Sequence, residues 1–430
     1  AGPAVVLSFV LAAVGCAFAG LCYAEFASMI PVAGSAYTYA YATMGEFMAW
    51  IIGWDLVLEY ALGAATVSVS WSRYLLEILH KHGLSIPHHL AVSPFESVKL
   101  GDGTMIENGL INLPAIFIVC MLSLLLMRGT KESATMNNAL VILKVIVVIV
   151  FIALGWSHIN PANHVPFIPE NTGRYENFGW TGIAAGAGVV FFAFIGFDAV
   201  STAAQEAKNP QKGMPIGILG SLVVCTILYV LFAYVMTGLV KYTEFAGDAK
   251  PAATAFAVTG YSFLQDALII AILAGYTSVI LVMLMGQSRV FYTMSKDGLL
   301  PRFFASIHPK FSTPWKTNAF FMVFVSLFAG FVPVADLGHM VSIGTLLAFV
   351  LVCIGILVLR KTDPDTPRPF RTPWVPFVPI MGVIVCVYLM YSLPPESWFR
   401  LAIWMALGVA IYFMYGKKHS VVRNKYAALH

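Results

Sequence analysis

The sequence is poor in charge. Of its 430 residues, 25 are Lys or Arg and 21 are Asp or Glu, so charged residues make up 11% of the chain. A soluble domain carries about 25%. A soluble chain of this length would fold as two or three domains, and so few charges could not cover their surfaces. This excludes a soluble enzyme and a disordered chain. The net charge of +4 is too small for the basic field that binds nucleic acid. Cysteine is scarce too. Cys16, Cys22, Cys120, Cys225, Cys353 and Cys386 all lie in apolar runs, with no CxxC pair and no Cys/His cluster. They read as small buried apolar side chains, not as a disulfide framework. His80, His82, His88 and His89 share one polar loop, which reads as a solvated loop, so no metal is expected. No nucleophile elbow and no paired catalytic carboxylates at matching depth point to an enzyme. A channel's selectivity ring and pore-lining repeat are also missing. The opening apolar run lacks the basic flank of a signal peptide.

What the sequence has instead is apolar length. Hydrophobic residues are 59% of the chain. They gather in eleven runs near 4–24, 45–76, 110–128, 138–158, 180–205, 216–239, 265–292, 317–335, 340–360, 374–393 and 398–416. About 20 apolar residues cross a bilayer as a helix, and backbone groups in lipid must be satisfied within the segment. The runs lack the two-residue alternation of a membrane β-barrel. The expected fold class is therefore an all-α polytopic membrane protein with eleven transmembrane helices. The runs at 45–76 and 265–292 are long enough to require tilt. Seventeen basic residues fall in one set of alternating connections and seven in the other, with Lys144 inside a span. The bias places the C-terminus in the cytoplasm. Eleven spans then put Ala1 outside, and a further span is expected before it.

Ionisable groups at membrane depth are costly and mark function. Asp55 and Glu59 stand four apart and so share one helix face. Glu59 is near mid-span, either as a neutral carboxyl bonded to another helix or as a carboxylate lining a cavity, where it meets a substrate amine. Lys144 has two turns of apolar sequence between it and the cytoplasmic end. It either snorkels back to the interface or stays inside as an amine that gains and loses a proton. In the fifth run, glycines crowd 182–188, and Gly196 stands among aromatics just before Asp198. Such glycines suit close helix packing or a helix break of the kind that exposes backbone groups to substrate. The hydroxyls of Thr66, Ser68, Ser70, Ser72, Thr277 and Ser278 either bond back to their own helices or line a site.

Four stretches carry a family resemblance: Glu25 to Tyr39 (EFASMIPVAGSAYTY), Phe192 to Asp198 (FAFIGFD), Glu206 to Pro215 (EAKNPQKGMP) and Ser288 to Pro301 (SRVFYTMSKDGLLP). In this order they resemble the amino acid–polyamine–organocation superfamily of permeases, and within it bacterial homologues of the cationic amino acid transporters. The resemblance runs along the whole chain and implies one transporter domain over 1–430. It implies two inverted five-helix repeats plus two C-terminal helices: a first repeat at 1–158 lacking its first helix, a second at 180–360, further helices at 374–416 and a cytoplasmic tail at 417–430. The absent first helix would carry the glycine-rich half of the substrate site.

The resemblance also implies roles. Glu59 faces the substrate site. Phe192 is the aromatic gate, and the backbone at Ala193, Phe194 and Gly196 meets the substrate amine. Met283 fills a side-chain pocket, favouring small neutral amino acids such as alanine over arginine. Lys144 stands where sodium-coupled relatives hold their ion, with Ser278 as its neighbour, which favours proton coupling. The expectation is a proton-coupled amino acid permease of the cell membrane, with amino acid and lipid as its partners and no cofactor. An uncoupled exchanger and a non-transporting sensor or complex subunit are the alternatives.

Overall fold

A computed structural model describes residues 1–30, 35–99, 105–106, 109–129, 131–201, 208–248, 250–421 and 423–424, without the side chains of 98–99, 105–106 and 131–136. Two of the four family stretches extend beyond these: Pro31 to Gly34 and Glu206 to Ala207 lie outside the described residues.

Among the described residues the regular structure is helical, apart from a two-residue antiparallel pair in the loop after the third helix, Val98–Lys99 with Met105–Ile106. The helices are α1 (Val5–Met29), α2 (Ser35–Thr43), α3 (Glu46–Lys81), α4 (Leu113–Arg128), α5 (Lys131–Trp156), α6 (Gly179–Val190), α7 (Pro210–Leu239), α8 (Pro251–Ala257), α9 (Ser262–Lys296), α10 (Trp315–Phe331), α11 (Val334–Thr362), α12 (Phe377–Tyr391) and α13 (Pro395–Ile411). Each of the eleven apolar runs coincides with one of them. Among the described residues eight helices are long and apolar enough to cross a membrane, and α4, α10 and α12 are shorter apolar helices. Observed starts precede the apolar runs where the first turns are polar. The helix begins at Lys131 rather than 138. It begins at Pro210 rather than 216, because proline suits a first turn, where its missing N–H costs nothing. At α4, Pro114 sits in the first turn and the Asn112 side chain caps the Ala115 N–H at 3.1 Å.

The two most enclosed helices are α3 and α11. They pack on each other, and α3 also lies along α9. By contrast, α5 and α7 turn mostly apolar faces outward, as lipid-facing helices do. One ion-pair knot joins α1 to α11. Buried Glu25 receives Arg360 at 2.8 and 3.0 Å, Arg368 at 3.2 Å and the Thr372 N–H at 2.7 Å. A fully enclosed carboxylate is tolerable there because each oxygen has a cationic or N–H partner. The hydroxyls of Thr66, Ser68, Ser70, Thr277 and Ser278 bond back to their own helices. Ser72 departs from that pattern and reaches Asn112 at 2.8 Å.

Candidate functional site

The fifth run is a broken helix. Regular α-helix stops at Val190, a single tighter turn covers Phe191–Phe194, Ile195 is extended, and Gly196 takes φ +113°. An L side chain is strained at that angle, so the glycine is where the chain turns. A further helical turn follows at 198–201. Carbonyls at the break are engaged, that of Gly196 by the Ala199 N–H at 3.1 Å. The Phe192 carbonyl accepts from the Ile195 N–H at 3.2 Å, and the Ala193 carbonyl accepts from the Tyr229 hydroxyl at 2.6 Å. The Phe194 ring is buried against Phe9 and Tyr229, whereas Phe192 is half-buried at the edge of the core.

Met283 is buried and bridges two glycines. Its Cε lies 3.7 Å from where a Cβ on Gly196 would stand, and its Sδ lies 3.7 Å from that point on Gly63. Gly63 is one turn beyond Glu59 on α3, and Asp198 is two residues beyond Gly196. The predicted residues Glu59, Gly196 and Met283 therefore converge where α3, α9 and the break meet. Glu59 is fully buried. Among the described residues neither of its oxygens meets a hydrogen-bond donor, and its polar neighbours are Asp198 and Thr345. Asp198 is fully buried too, and its Oδ2 accepts from the Tyr60 hydroxyl at 2.6 Å and from Ser35 at 3.1 Å. Asp55, one turn before Glu59, is likewise enclosed and without a donor among the described residues.

Lys144 and Ser278 meet directly. The Lys144 Nζ donates to Ser278 Oγ at 3.2 Å, and Ser278 donates to the Gly275 carbonyl at 2.8 Å. The lysine stem crosses α9 at Gly275, where a Cβ would lie 3.5 Å from its Cδ. Lys144 thus turns toward α9 and is half-buried, rather than running back along α5 to the interface. Cys225 on α7 is within its electrostatic reach, and Cys225 is in turn a neighbour of Tyr229. Tyr229 on α7 in turn meets the broken helix, through its hydroxyl on the Ala193 carbonyl.

Sequence reasoning missed Tyr229, Tyr60, Ser35 and Thr345. Tyr60 is adjacent to Glu59 and Ser35 lies in a family stretch, so both could have been flagged. Tyr229 sits in an ordinary apolar run and gave no local signal. Among the described residues no group of three or more His, Cys, Asp or Glu could hold a metal ion.

A profile of the amino acid permease family matches residues 1–412. A branched-chain amino acid permease of Bacillus subtilis is 46% identical over 98% of this chain and 87% of its own length. A methylthioribose transporter from the same organism is 41% identical over 99% and 88%. Cationic amino acid transporter 9 of Arabidopsis thaliana is 35% identical over 90% and 66%. A match spanning nearly the whole chain, together with the broken helix and its glycine, shows that the protein belongs to the amino acid permease family of the amino acid–polyamine–organocation superfamily.

Proposed function

We propose that the protein imports small neutral amino acids, alanine among them, by proton-coupled alternating access across the cell membrane. The observation that carries this reading is the pairing of two centres. Met283 fills the space between Gly63 and Gly196, and Lys144 holds Ser278 on α9. The substrate amine meets the backbone of the break around Ala193, Phe194 and Gly196. Phe192, half-buried at the same break, swings to occlude the bound substrate. Lys144 carries the coupling proton: charged, its ammonium donates to Ser278, and neutral, it relaxes that hold, which shifts α5 against α9. The route through Cys225 and Tyr229 to the Ala193 carbonyl gives the proton a mechanical link to the break. The names of two relatives, a branched-chain permease and a cationic amino acid transporter, support an amino acid as cargo.

In this reading eleven helices span the bilayer, residues 1–158 and 180–360 form inverted repeats, and the C-terminus is cytoplasmic. The sorting of basic residues among the connections supports the orientation. A polar amine or carbonyl at membrane depth is tolerated where it lines a cavity, which suits a substrate path between the break, α3 and α9.

The test is uptake by the purified full chain in proteoliposomes. Radiolabelled alanine accumulates above its external concentration when an inward proton gradient is imposed, and a protonophore abolishes the accumulation. Alanine counterflow that ignores the gradient would replace the symporter with an exchanger. Binding without flux would make the protein a sensor.

A further inference from the structure

The connection from α9 to α10 carries groups that transport does not use. Residues 298–318 include Arg302, His308, Lys310 and Lys316 and no Asp or Glu. Both lysines belong to one chain of ring contacts. The Lys316 Nζ lies 5.4 Å from the ring centre of Phe303 and 5.6 Å from that of Trp315. Trp315 meets the His308 ring at 6.1 Å, and His308 lies against Phe311 at 4.8 Å. The Lys310 Nζ stands 5.6 Å from the Phe311 ring centre. Phe303, Phe311 and Trp315 are exposed, and neither lysine has an ion-pair partner among the described residues.

The connection is held in shape. The His308 N–H donates to the Thr313 carbonyl at 2.8 Å, and the Ser312 N–H donates to the His308 carbonyl at 2.9 Å. The N–H groups of Lys310 and Phe311 donate to His308 Nδ1 at 3.1 and 3.3 Å. The Thr313 hydroxyl donates to the Met127 carbonyl on α4 at 2.7 Å, and that of Thr317 to the Phe304 carbonyl at 2.7 Å. Little ordering is left to be lost on binding a partner.

The patch also continues an apolar face. Lys316, Phe320, Val323 and Leu327 follow on α10 at spacings of four, three and four, so they share one side of the helix. The last three are exposed apolar side chains, as on a face that lies against lipid. Lys316 is the amine at the end of that face. Aromatic rings at the acyl boundary, with amines reaching up to the phosphates, are how such side chains sit at a membrane surface.

We propose that the α9–α10 connection binds the headgroup of an anionic phospholipid, with Lys310 and Lys316 attracting its phosphate and Phe303, Phe311 and Trp315 lying at the acyl-chain boundary. A patch with cations and no carboxylate calls for a negative partner. An acidic protein segment would answer the charge but not the apolar face that runs on down α10. The site depends only on α9 and α10 lying in a bilayer, whatever the cargo or the coupling, so it goes beyond the transport reading and stands or falls independently of it.

The test titrates the detergent-solubilised full chain with phosphatidylglycerol and, separately, with phosphatidylcholine. Native mass spectrometry reads the bound lipid, and thermal melts without lipid check the fold. Phosphatidylglycerol should bind more tightly, and the preference should shrink as salt rises. A basic residue near an anionic surface contributes about 1 kcal/mol, or about fivefold, so Lys310→Gln combined with Lys316→Gln should weaken phosphatidylglycerol binding by about 25-fold. Phosphatidylcholine binding should stay unchanged, and Lys310→Arg with Lys316→Arg should keep the preference. Equal binding of the two lipids by the unmodified chain, or undiminished phosphatidylglycerol binding by the double glutamine variant, would overturn the site. Displacement of the lipid by inorganic phosphate at matched concentration would make it a free-anion site, and polyglutamate binding with no preference for phosphatidylglycerol would make it a protein contact; either overturns the lipid assignment. If the double glutamine variant does not fold, Trp315 fluorescence decides, taken as the difference between the unmodified chain and Trp315→Phe. Phosphatidylglycerol brominated on its acyl chains should quench it more than brominated phosphatidylcholine does, and equal quenching would overturn the site.

Discussion

Replacing Met283 with serine tests the size filter directly. The thioether arm fills the gap between α3 and the break, with 3.7 Å from Cε to the Gly196 position and 3.7 Å from Sδ to the Gly63 position. Serine ends two atoms short of the Cε position and one short of the Sδ position, so the pocket gains roughly the volume of two methylene-sized groups. A hydrophobic pocket discriminates by about 1–3 kcal/mol per methylene, or about 10–200-fold in kcat/KM. Met283→Ser should therefore raise uptake of leucine and arginine relative to alanine by at least about tenfold. Folding pays part of this: truncating a buried methionine costs about 2–5 kcal/mol when the cavity does not collapse, so a lower melting temperature is expected. Met283→Leu, which conserves volume, should cost under about 1.5 kcal/mol and keep the selectivity. The assay is competitive uptake in proteoliposomes, with the thermal melts in parallel. Unchanged leucine and arginine uptake in a folded, alanine-transporting Met283→Ser protein would refute the size argument.

Other outcomes follow from the same geometry. Tyr229→Phe removes the donor 2.6 Å from the Ala193 carbonyl; an unsatisfied buried carbonyl costs about 1–3 kcal/mol, and alanine uptake should slow together with a loss of thermal stability. A Tyr229→Phe protein with unaltered uptake would remove α7 from the coupling route. Glu25→Gln leaves Arg360 and Arg368 without their carboxylate; breaking such an enclosed pair costs about 3–5 kcal/mol, and chemical denaturation showing a loss under about 1 kcal/mol would contradict its role in tying α1 to α11. Asp297 lies just past α9 and accepts from Tyr37 at 2.7 Å. Burial pushes its carboxyl above the ordinary aspartate range, and the Tyr37 hydroxyl pulls it only partly back. The folded state then holds the proton more tightly than the unfolded chain, so this group's stabilisation is complete at low pH and is lost as pH rises through the folded value. Asp297→Asn should abolish that loss, and melts from the acid range to neutrality should show the variant gaining on the parent protein; parallel pH profiles would count against the assignment.

Much of the architecture was written locally. Apolar length located all eleven runs, and the bend at Gly196 was visible as a glycine among aromatics ahead of an aspartate. Helix starts were misjudged at 131 and 210 because polar first turns carry no hydropathy signal, although Pro210 is itself a start signal. The pairings were harder to see. Ser35 and Asp198 are 163 residues apart, and Lys144 and Ser278 are 134 apart; no local period encodes such contacts. Lys144 was recognisable as anomalous, but its direction depended on Gly275 leaving room on another helix. Tyr229 was illegible because a tyrosine in a lipid-facing run is unremarkable until a broken helix offers it a carbonyl. Glu25 was read only as part of a family stretch, since its partners arrive from the loop after α11.

The central claim is that Lys144 couples the proton gradient to amino acid import. Its most direct test is alanine accumulation in proteoliposomes by the Lys144→Ala protein under an imposed inward proton gradient, beside the unmodified chain. The account predicts that the unmodified protein concentrates alanine and that Lys144→Ala gives no gradient-driven accumulation. Accumulation by Lys144→Ala that remains fully proton-dependent would contradict it.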